Sequence, residues 1–326
     1  MSYESGTAWF AAIGGLGALA AVVSLTVVQT RAWQARSFQR FANWVDLRVS
    51  DPVITAAVTR RLRRTDTSVA VGALVGIAVA ALAFFARPPV PLSTFIFVVA
   101  LPIILIGITF FPVTLALRDQ LYTPEEHAPR VARVQQLSMR DYLSPMRLWS
   151  APLFTLLAAV LTILGGVLAV TGMINSSRFF HGLAPIALLV AIVTLGAGAW
   201  AARMVVGKNQ SATDSLELAW SDAMRAETLR ILWQFVTIIA WLAVVLAALG
   251  ILAALEQPIG ADGTGAVLNA ATVWGNIIIG RFYSRGGAYN YFRYRLWPDL
   301  GDVGEIIDES DSASTDDSVE PEQRRP

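Results

Sequence analysis

The sequence contains no cysteine and only two histidines, His127 and His181, among its 326 residues. The absence of cysteine excludes disulfides, thiolate metal sites and cysteine nucleophiles, and two histidines leave little for metal binding or general-base chemistry. Charge is also scarce, since Asp, Glu, Lys and Arg make up 15% of the chain, against about 25% in an average soluble domain. Hydrophobic residues reach 55%, and the mean hydropathy is +0.55. These figures argue against a water-soluble globular domain, a disordered protein and a nucleic-acid-binding protein.

Catalytic patterns are absent as well. The sequence holds no Gly-rich phosphate loop, no GxSxG and no HExxH. His127 follows Glu125 and Glu126, but no second histidine or cysteine lies near enough in sequence to suggest a metal site. We therefore expect no catalytic residue, no metal and no cofactor.

Six long apolar runs dominate the chain, near residues 7–29, 68–86, 94–117, 151–171, 184–203 and 231–255. About 20 apolar residues in a helix cross the hydrocarbon core of a bilayer, where backbone polar groups must be satisfied within the segment. A seventh run, 263–280, is less apolar because it carries Asn269 and Asn276. No charged residue lies deep inside the first six runs, which disfavours proton relays and ion-coupled pumps.

The basic residues predict the orientation. Segments 30–67, 118–150 and 203–230 hold eight, five and four of them, whereas the segments between hold at most one. Because basic loops stay in the cytoplasm, the N-terminus is predicted outside. Four later arginines reach the cytoplasm only if 263–280 also crosses: Arg281, Arg285, Arg293 and Arg295. The alternative is a re-entrant segment that leaves the C-terminus outside.

The predicted fold class is therefore an all-α integral membrane protein with about seven transmembrane helices, N-terminus out and C-terminus in, and helical cytoplasmic loops. The membrane domain spans residues 1–298. Residues 299–326 carry ten acids and two bases, with too few apolar residues to fold, and are predicted to form a disordered cytoplasmic tail. Lys208 is the only lysine among 25 basic residues. This arginine bias, together with the abundance of Ala, Val, Leu and Gly, suggests a GC-rich bacterial genome, and the membrane is therefore expected to be a bacterial plasma membrane.

One cytoplasmic segment, 31–49, combines aromatic and basic residues. Trp33, Phe41 and Trp44 fall on one side of a helix, with arginines between them. Such a helix is typical of the headgroup layer, where arginines attract anionic lipid. The alternative is a surface for a cytoplasmic protein partner.

Two further groups of residues are candidates for function. Asn269, Thr272 and Asn276 share one helical face, which either lines a path for a neutral substrate or hydrogen-bonds to neighbouring helices. The aromatic segment after this run either anchors the last span or contacts a partner or a lipid headgroup; its candidate residues are Arg281, Arg285, Tyr289, Tyr291, Arg293, Arg295 and Trp297.

Small residues and proline predict local packing. Gly72 and Gly76 form a GxxxG pattern, and Gly196 and Gly198 form a similar notch. Such notches let helix backbones approach closely. Pro102 is predicted to kink the third span.

Three classes of function remain open on the sequence. The first is a non-catalytic scaffold, or a subunit or accessory of a membrane assembly, with lipid and protein partners and no nucleic acid. The second is a permease for a neutral or lipid-like substrate. The third is an enzyme at the lipid interface, which would require Glu125, Glu126 and His127 to meet Asp141 or Asp222.

The orientation can be tested with a reporter enzyme that is active only outside the cytoplasm. Fused after Pro326, the reporter should be inactive, because an odd number of crossings places that end inside. A fusion at Gln257, in the predicted outer segment 256–262, should be active and serves as the matched control. An active fusion after Pro326 would refute the seventh crossing.

Overall fold

The computed structural model describes residues 3–47, 52–86, 95–122, 137–208, 215–255, 261–283 and 291–298. Nearly all of these residues are helical, and none of them forms a strand. Five of the helices are long and apolar enough to cross a membrane, and a bent pair at the N-terminus raises the number to six. The prediction of an all-helical fold with several helices able to cross a membrane is confirmed. The seven crossings and their orientation stay predictions. The predicted tail, 299–326, lies outside the described residues.

Eleven α-helices run through the described ranges. They are α1 Tyr3–Val28, α2 Arg31–Val45, α3 Pro52–Phe85, α4 Leu101–Tyr122, α5 Met139–Tyr142, α6 Pro145–Val170, α7 Ser176–Phe180, α8 Leu183–Gly207, α9 Ser215–Ala254, α10 Ala261–Phe282 and α11 Tyr291–Leu296.

Two helices extend well beyond the apolar runs that predict them. Helix α3 begins at Pro52 rather than near 68, and α9 begins at Ser215 rather than near 231. Their 34 and 40 residues correspond to about 50 and 60 Å at 1.5 Å per residue, more than the roughly 30 Å of a hydrocarbon core. Each helix therefore continues past the apolar layer into a polar segment, as predicted for the helical loops.

Helix α9 is the centre of the bundle. Buried residues make up 56% of its most apolar stretch, compared with 17–28% in the other four spanning candidates. The outer helices instead expose large aliphatic side chains, among them Leu156 and Ile163 on α6 and Leu189 and Val193 on α8. Exposed apolar surface of this extent is what a helix facing lipid requires.

Helices α1 and α2 meet at an angle of 83°, so α2 lies across the direction of α1. Thr30 caps α2 by accepting a hydrogen bond from the backbone N–H of Trp33 at 3.3 Å. The aromatic side of α2 faces the protein: Phe41 and Val45 are fully buried, and Phe38 stacks on Trp220 of α9 at 6.0 Å between ring centroids. The apolar side predicted to enter the headgroup layer is thus covered by the chain itself.

The kink predicted at Pro102 coincides with a local change of helix type. A π-helical turn, Ile96–Ala100, leads directly into α4, and Pro102 is the second residue of α4. Proline has no N–H and clashes with the carbonyl four residues earlier in a regular α-helix. The wider π turn falls where that clash would occur.

Glycines set the contact between α3 and α4. A methyl group added at Gly72 would collide with the backbone carbonyl of Gly107, and one added at Gly76 would lie 2.8 Å from the Cα of Ile104. The predicted GxxxG notch is therefore used within the chain. Gly198 packs against the side chain of Val236 on α9, whereas Gly196 has open space around it.

Replacement of Gly72 by alanine should destabilise the protein by about 1–3 kcal/mol, because the collision is with backbone that cannot rotate away. Gly196→Ala is the matched control, since helix propensity alone favours alanine by about 0.5–1 kcal/mol. Denaturant-induced unfolding in detergent measures both. Equal stability of the two variants would show that α3 and α4 can separate without cost.

Candidate functional site

The polar residues on one face of α10 form contacts within α10 and with the rest of the bundle. Thr272 is buried, and Asn276 is half-buried with its Nδ2 donating to the Thr272 carbonyl at 2.7 Å. The side chain of Asn269 lies outside the described part of the structure. Between these positions, Gly275 packs directly against the indole ring of Trp241 on α9. The described contacts of this face are therefore with the chain itself.

The aromatic segment at the end of the chain is partly described. Tyr291 is half-buried and Arg281 is exposed, whereas Arg285 and Tyr289 lie outside the described residues. Arg293 is only 2% exposed, and its Nε donates to the carbonyl of Asp46 at the end of α2 at 3.3 Å. This arginine, a candidate for contact with a partner or lipid, thus fastens α11 to α2.

Two other residues that the sequence makes candidates for contact with a partner or lipid also form contacts inside the protein. Arg295 forms an ion pair with Asp141 of α5 at 2.7 Å, and Trp297 donates through Nε1 to Asp222 of α9 at 3.0 Å. Burial raises the pKa of Asp141, but hydrogen bonds from Arg295 and from Ser138 outweigh that effect and hold the pKa below its ordinary value. Helix α11 is therefore joined to α2, α5 and α9.

Four charged residues are buried on the first half of α9. Asp222, Arg225, Glu227 and Arg230 are all less than 10% exposed. The helix is surrounded on every side at this level, and its polar residues therefore need partners inside the protein. The partners of Arg225 and Arg230 include carbonyls at the ends of other helices.

Helix α4 receives its cap from the only lysine in the chain. The ammonium group of Lys208 donates to the carbonyls of Gln120 and Leu121 at 2.9 and 3.3 Å. The last four carbonyls of an α-helix have no partner within the helix, and a cation there also interacts favourably with the helix dipole. Lys208 follows α8, so this contact joins the ends of α4 and α8.

Helix α8 is capped in turn by Arg225 of α9. Its guanidinium donates to the carbonyl of Lys208 at 2.5 Å and to that of Val206 at 3.4 Å. The same group donates to the hydroxyl of Tyr142 at 3.3 Å. One buried arginine thus ties α9 to α8 and to α5.

Two arginines from other helices cap the end of helix α10. Arg147 of α6 donates to the carbonyl of Phe282 at 3.1 Å, and Arg230 of α9 donates to that of Tyr283 at 2.8 Å. Glu227 neutralises Arg230 by accepting two hydrogen bonds, at 2.7 and 2.9 Å. We call the end of the bundle at which α4, α8 and α10 finish the basic end.

A hydroxyl cluster lies beside these arginines. The Tyr283 hydroxyl is 2.7 Å from the Ser150 Oγ and 2.9 Å from the Thr237 Oγ1, and Ser150 and Thr237 are 3.1 Å apart. Tyr283 also donates to the carbonyl of Arg147 at 3.2 Å. These short contacts link α6, α9 and the end of α10.

Asp222 is held by two donors from different parts of the chain. Tyr142 donates to one carboxylate oxygen at 2.9 Å, and Trp297 donates to the other at 3.0 Å. Burial raises the pKa of Tyr142, and the neighbouring carboxylate raises it further. The phenol therefore stays protonated at neutral pH and keeps its hydrogen bond.

These contacts bear on what the buried charges can do chemically. Both oxygens of Asp222 and both oxygens of Glu227 already accept hydrogen bonds from the chain. Within the described ranges, no three His, Asp or Glu side chains converge on a possible metal site. The predicted meeting of Glu125, Glu126 and His127 with Asp141 or Asp222 involves residues outside the described ranges. The described network is one that joins helices.

Arg225→Met tests this role, because it removes a charged donor from two partly buried carbonyls. We expect a loss of about 1.5–3 kcal/mol in the free energy of unfolding, the range for hydrogen bonds to charged groups. Arg203→Met, at an exposed position of α8, is the matched control and should change stability by at most about 0.5 kcal/mol. A loss of similar size in both variants, measured by unfolding in detergent, would contradict the capping role.

Comparison of the chain with protein-family models, with curated proteins and with solved structures finds no match. The features of this chain that bear on function are the buried network at the basic end and the exposed arginines around it.

Proposed function

We propose that the chain is a seven-pass protein of a bacterial plasma membrane, with its N-terminus outside and its C-terminus in the cytoplasm. In this proposal it acts without catalysis, as a scaffold or as a subunit or accessory of a membrane assembly. The observation that carries the proposal is that the buried charged side chains of α9 bind other parts of the chain and thereby join helices. Arg225 and Arg230 cap other helices, and Glu227 neutralises Arg230. Asp222 binds Tyr142 and Trp297.

The path of α10 supports the seventh crossing. Gly275 meets Trp241 of α9, and Tyr283 meets Thr237 and Arg230, so α10 runs antiparallel to α9. Its 22 residues correspond to about 33 Å, which is enough to cross a hydrocarbon core. Its last residues lie at the basic end, together with the ends of α4 and α8, and this is the side that the arginine distribution assigns to the cytoplasm.

The outer surface of α2 supports a role in binding a partner. Its apolar side is buried against the chain, while Arg31, Arg36 and Arg40 are exposed. Arg40 also lies 6.0 Å from the centre of the Trp33 ring, which steadies its position. Arg36 and Arg40 lie one turn apart on this docked helix, and such an exposed basic pair suits an acidic surface of another protein.

The assembly can be tested by extracting the full chain from its native membrane in copolymer-bounded lipid discs and measuring the protein mass of the particles. We expect one further polypeptide at a fixed ratio to the 35.2 kDa chain. The double variant Arg36→Glu and Arg40→Glu should lose it, because the charge that attracts the partner is reversed. Arg178→Glu, at the opposite end of the bundle, is the control and should retain it.

A single chain with no companion, together with movement of small neutral solutes through vesicles containing the pure protein, would overturn the scaffold proposal. That outcome would favour the second candidate, a permease for a neutral or lipid-like substrate. One observation favours this candidate: among the described residues, the Oδ1 of Asn276 and the Nε1 of Trp241 are buried without a hydrogen-bond partner. They lie on either side of the α9–α10 contact and offer one acceptor and one donor.

A further inference from the structure

A groove at the basic end remains outside the capping network. It lies between the end of α1, α3 and α4, has a volume of about 570 Å³ and is open at the protein surface. Volumes of 300–1,000 Å³ are typical of sites for small molecules. Its polar part is formed by Arg63 and Arg64 of α3 and Arg118 of α4, and its apolar part by Val71, Phe111 and Leu115.

The two parts of the groove follow from helix geometry. On α3, Arg64 and Val71 lie two turns apart on one face, and on α4, Arg118 and Phe111 have the same spacing. Seven residues correspond to about 10 Å along each helix. The groove therefore changes over about 10 Å from a basic mouth to an apolar floor, in the direction that leads from the basic end into the apolar layer.

The arginines at the mouth differ from those of the capping network. Arg61, on the same helix, is turned inward and donates to Thr228 at 2.6 Å and to Gln120 at 3.0 Å. Arg63 and Arg118 are exposed, and within the described ranges neither makes a hydrogen bond or ion pair.

Arg64 forms a long ion pair with Asp119 at 3.6 Å and remains 56% exposed. Three positive charges thus face one carboxylate, and the mouth keeps a net positive charge. Hydroxyl groups of Thr67 and Thr114 lie between the mouth and the floor and add polar contacts where a headgroup would end.

We propose that this groove is a binding site for an anionic phospholipid of the leaflet at the basic end, with the phosphate on Arg63, Arg64 and Arg118. An acyl chain would lie along Val71, Phe111 and Leu115. Guanidinium groups bind phosphate oxygens in a planar, two-point geometry, and basic pockets between transmembrane helices bind anionic headgroups. A soluble phosphate ester shares the headgroup chemistry but has no use for the apolar floor. This inference does not depend on the scaffold function.

The test uses the full chain, delipidated in a neutral detergent, and native mass spectrometry with added lipid. The probes are phosphatidylglycerol and phosphatidylcholine with identical acyl chains. We expect the anionic lipid to bind about tenfold more tightly or better, since each arginine near the headgroup adds to the attraction. The double variant Arg63→Gln and Arg118→Gln should lose this preference.

The matched control is the pair Arg140→Gln and Arg203→Gln, which removes the same charge at exposed positions outside the groove. If the control loses the preference as fully as the groove variant, overall surface charge explains the binding and the site is refuted. Because all four positions are exposed, neither variant should disturb folding, and an unchanged elution profile and helical content check this.

A second arm separates the lipid from a soluble ligand. Glycerol phosphate and inorganic phosphate at millimolar concentration should not displace bound phosphatidylglycerol, because neither reaches the apolar floor. Displacement by glycerol phosphate as effective as that by the lipid itself would overturn the assignment to a membrane lipid and identify a site for soluble phosphate esters.

Discussion

Helix ends that finish inside protein leave backbone carbonyls without partners, and the fold of this chain depends on how those carbonyls are satisfied. Lys208 caps α4, Arg225 caps α8, and Arg147 and Arg230 cap α10. Each donor comes from another helix or from just beyond one. A cap of this kind therefore satisfies a local requirement and also fixes where two helices meet. The cationic groups add a favourable interaction with the negative ends of the helix dipoles.

This requirement explains why one half of α9 is both charged and buried. Its apolar half, from Ile231 onwards, packs among the other spanning helices, while its first half lies at the level where α4, α8 and α10 finish. Residues at that level must be polar to reach the carbonyls, yet they are enclosed because α2, α5 and α11 dock around them. Glu227 balances one of the arginines and limits the charge that the enclosure must hold.

The sequence predicts the spanning elements because a run of apolar residues is a local property. It predicts neither the full lengths of α3 and α9 nor the burial of Arg225, because both depend on contacts between segments distant in the chain. Gly72 is recognisable from its GxxxG pattern, whereas its partner Gly107 stands alone and carries no pattern. Likewise, the arginine count indicates a side of the membrane but cannot separate an arginine that bonds within the bundle, such as Arg61, from an exposed one such as Arg63.

The same network weighs against large relative movements of these helices. A carrier must alternate between two arrangements, and here a sliding of α9 would withdraw donors from the ends of α8 and α10 together. Each buried carbonyl left without a donor costs about 1–3 kcal/mol, and the close approach of Gly72 to Gly107 leaves α3 and α4 little room to slide. No charged residue lies deep inside the first six apolar runs, so an ion gradient has no evident site through which to supply that energy. These contacts thus favour one fixed arrangement of the helices, which is what the proposed scaffold function requires.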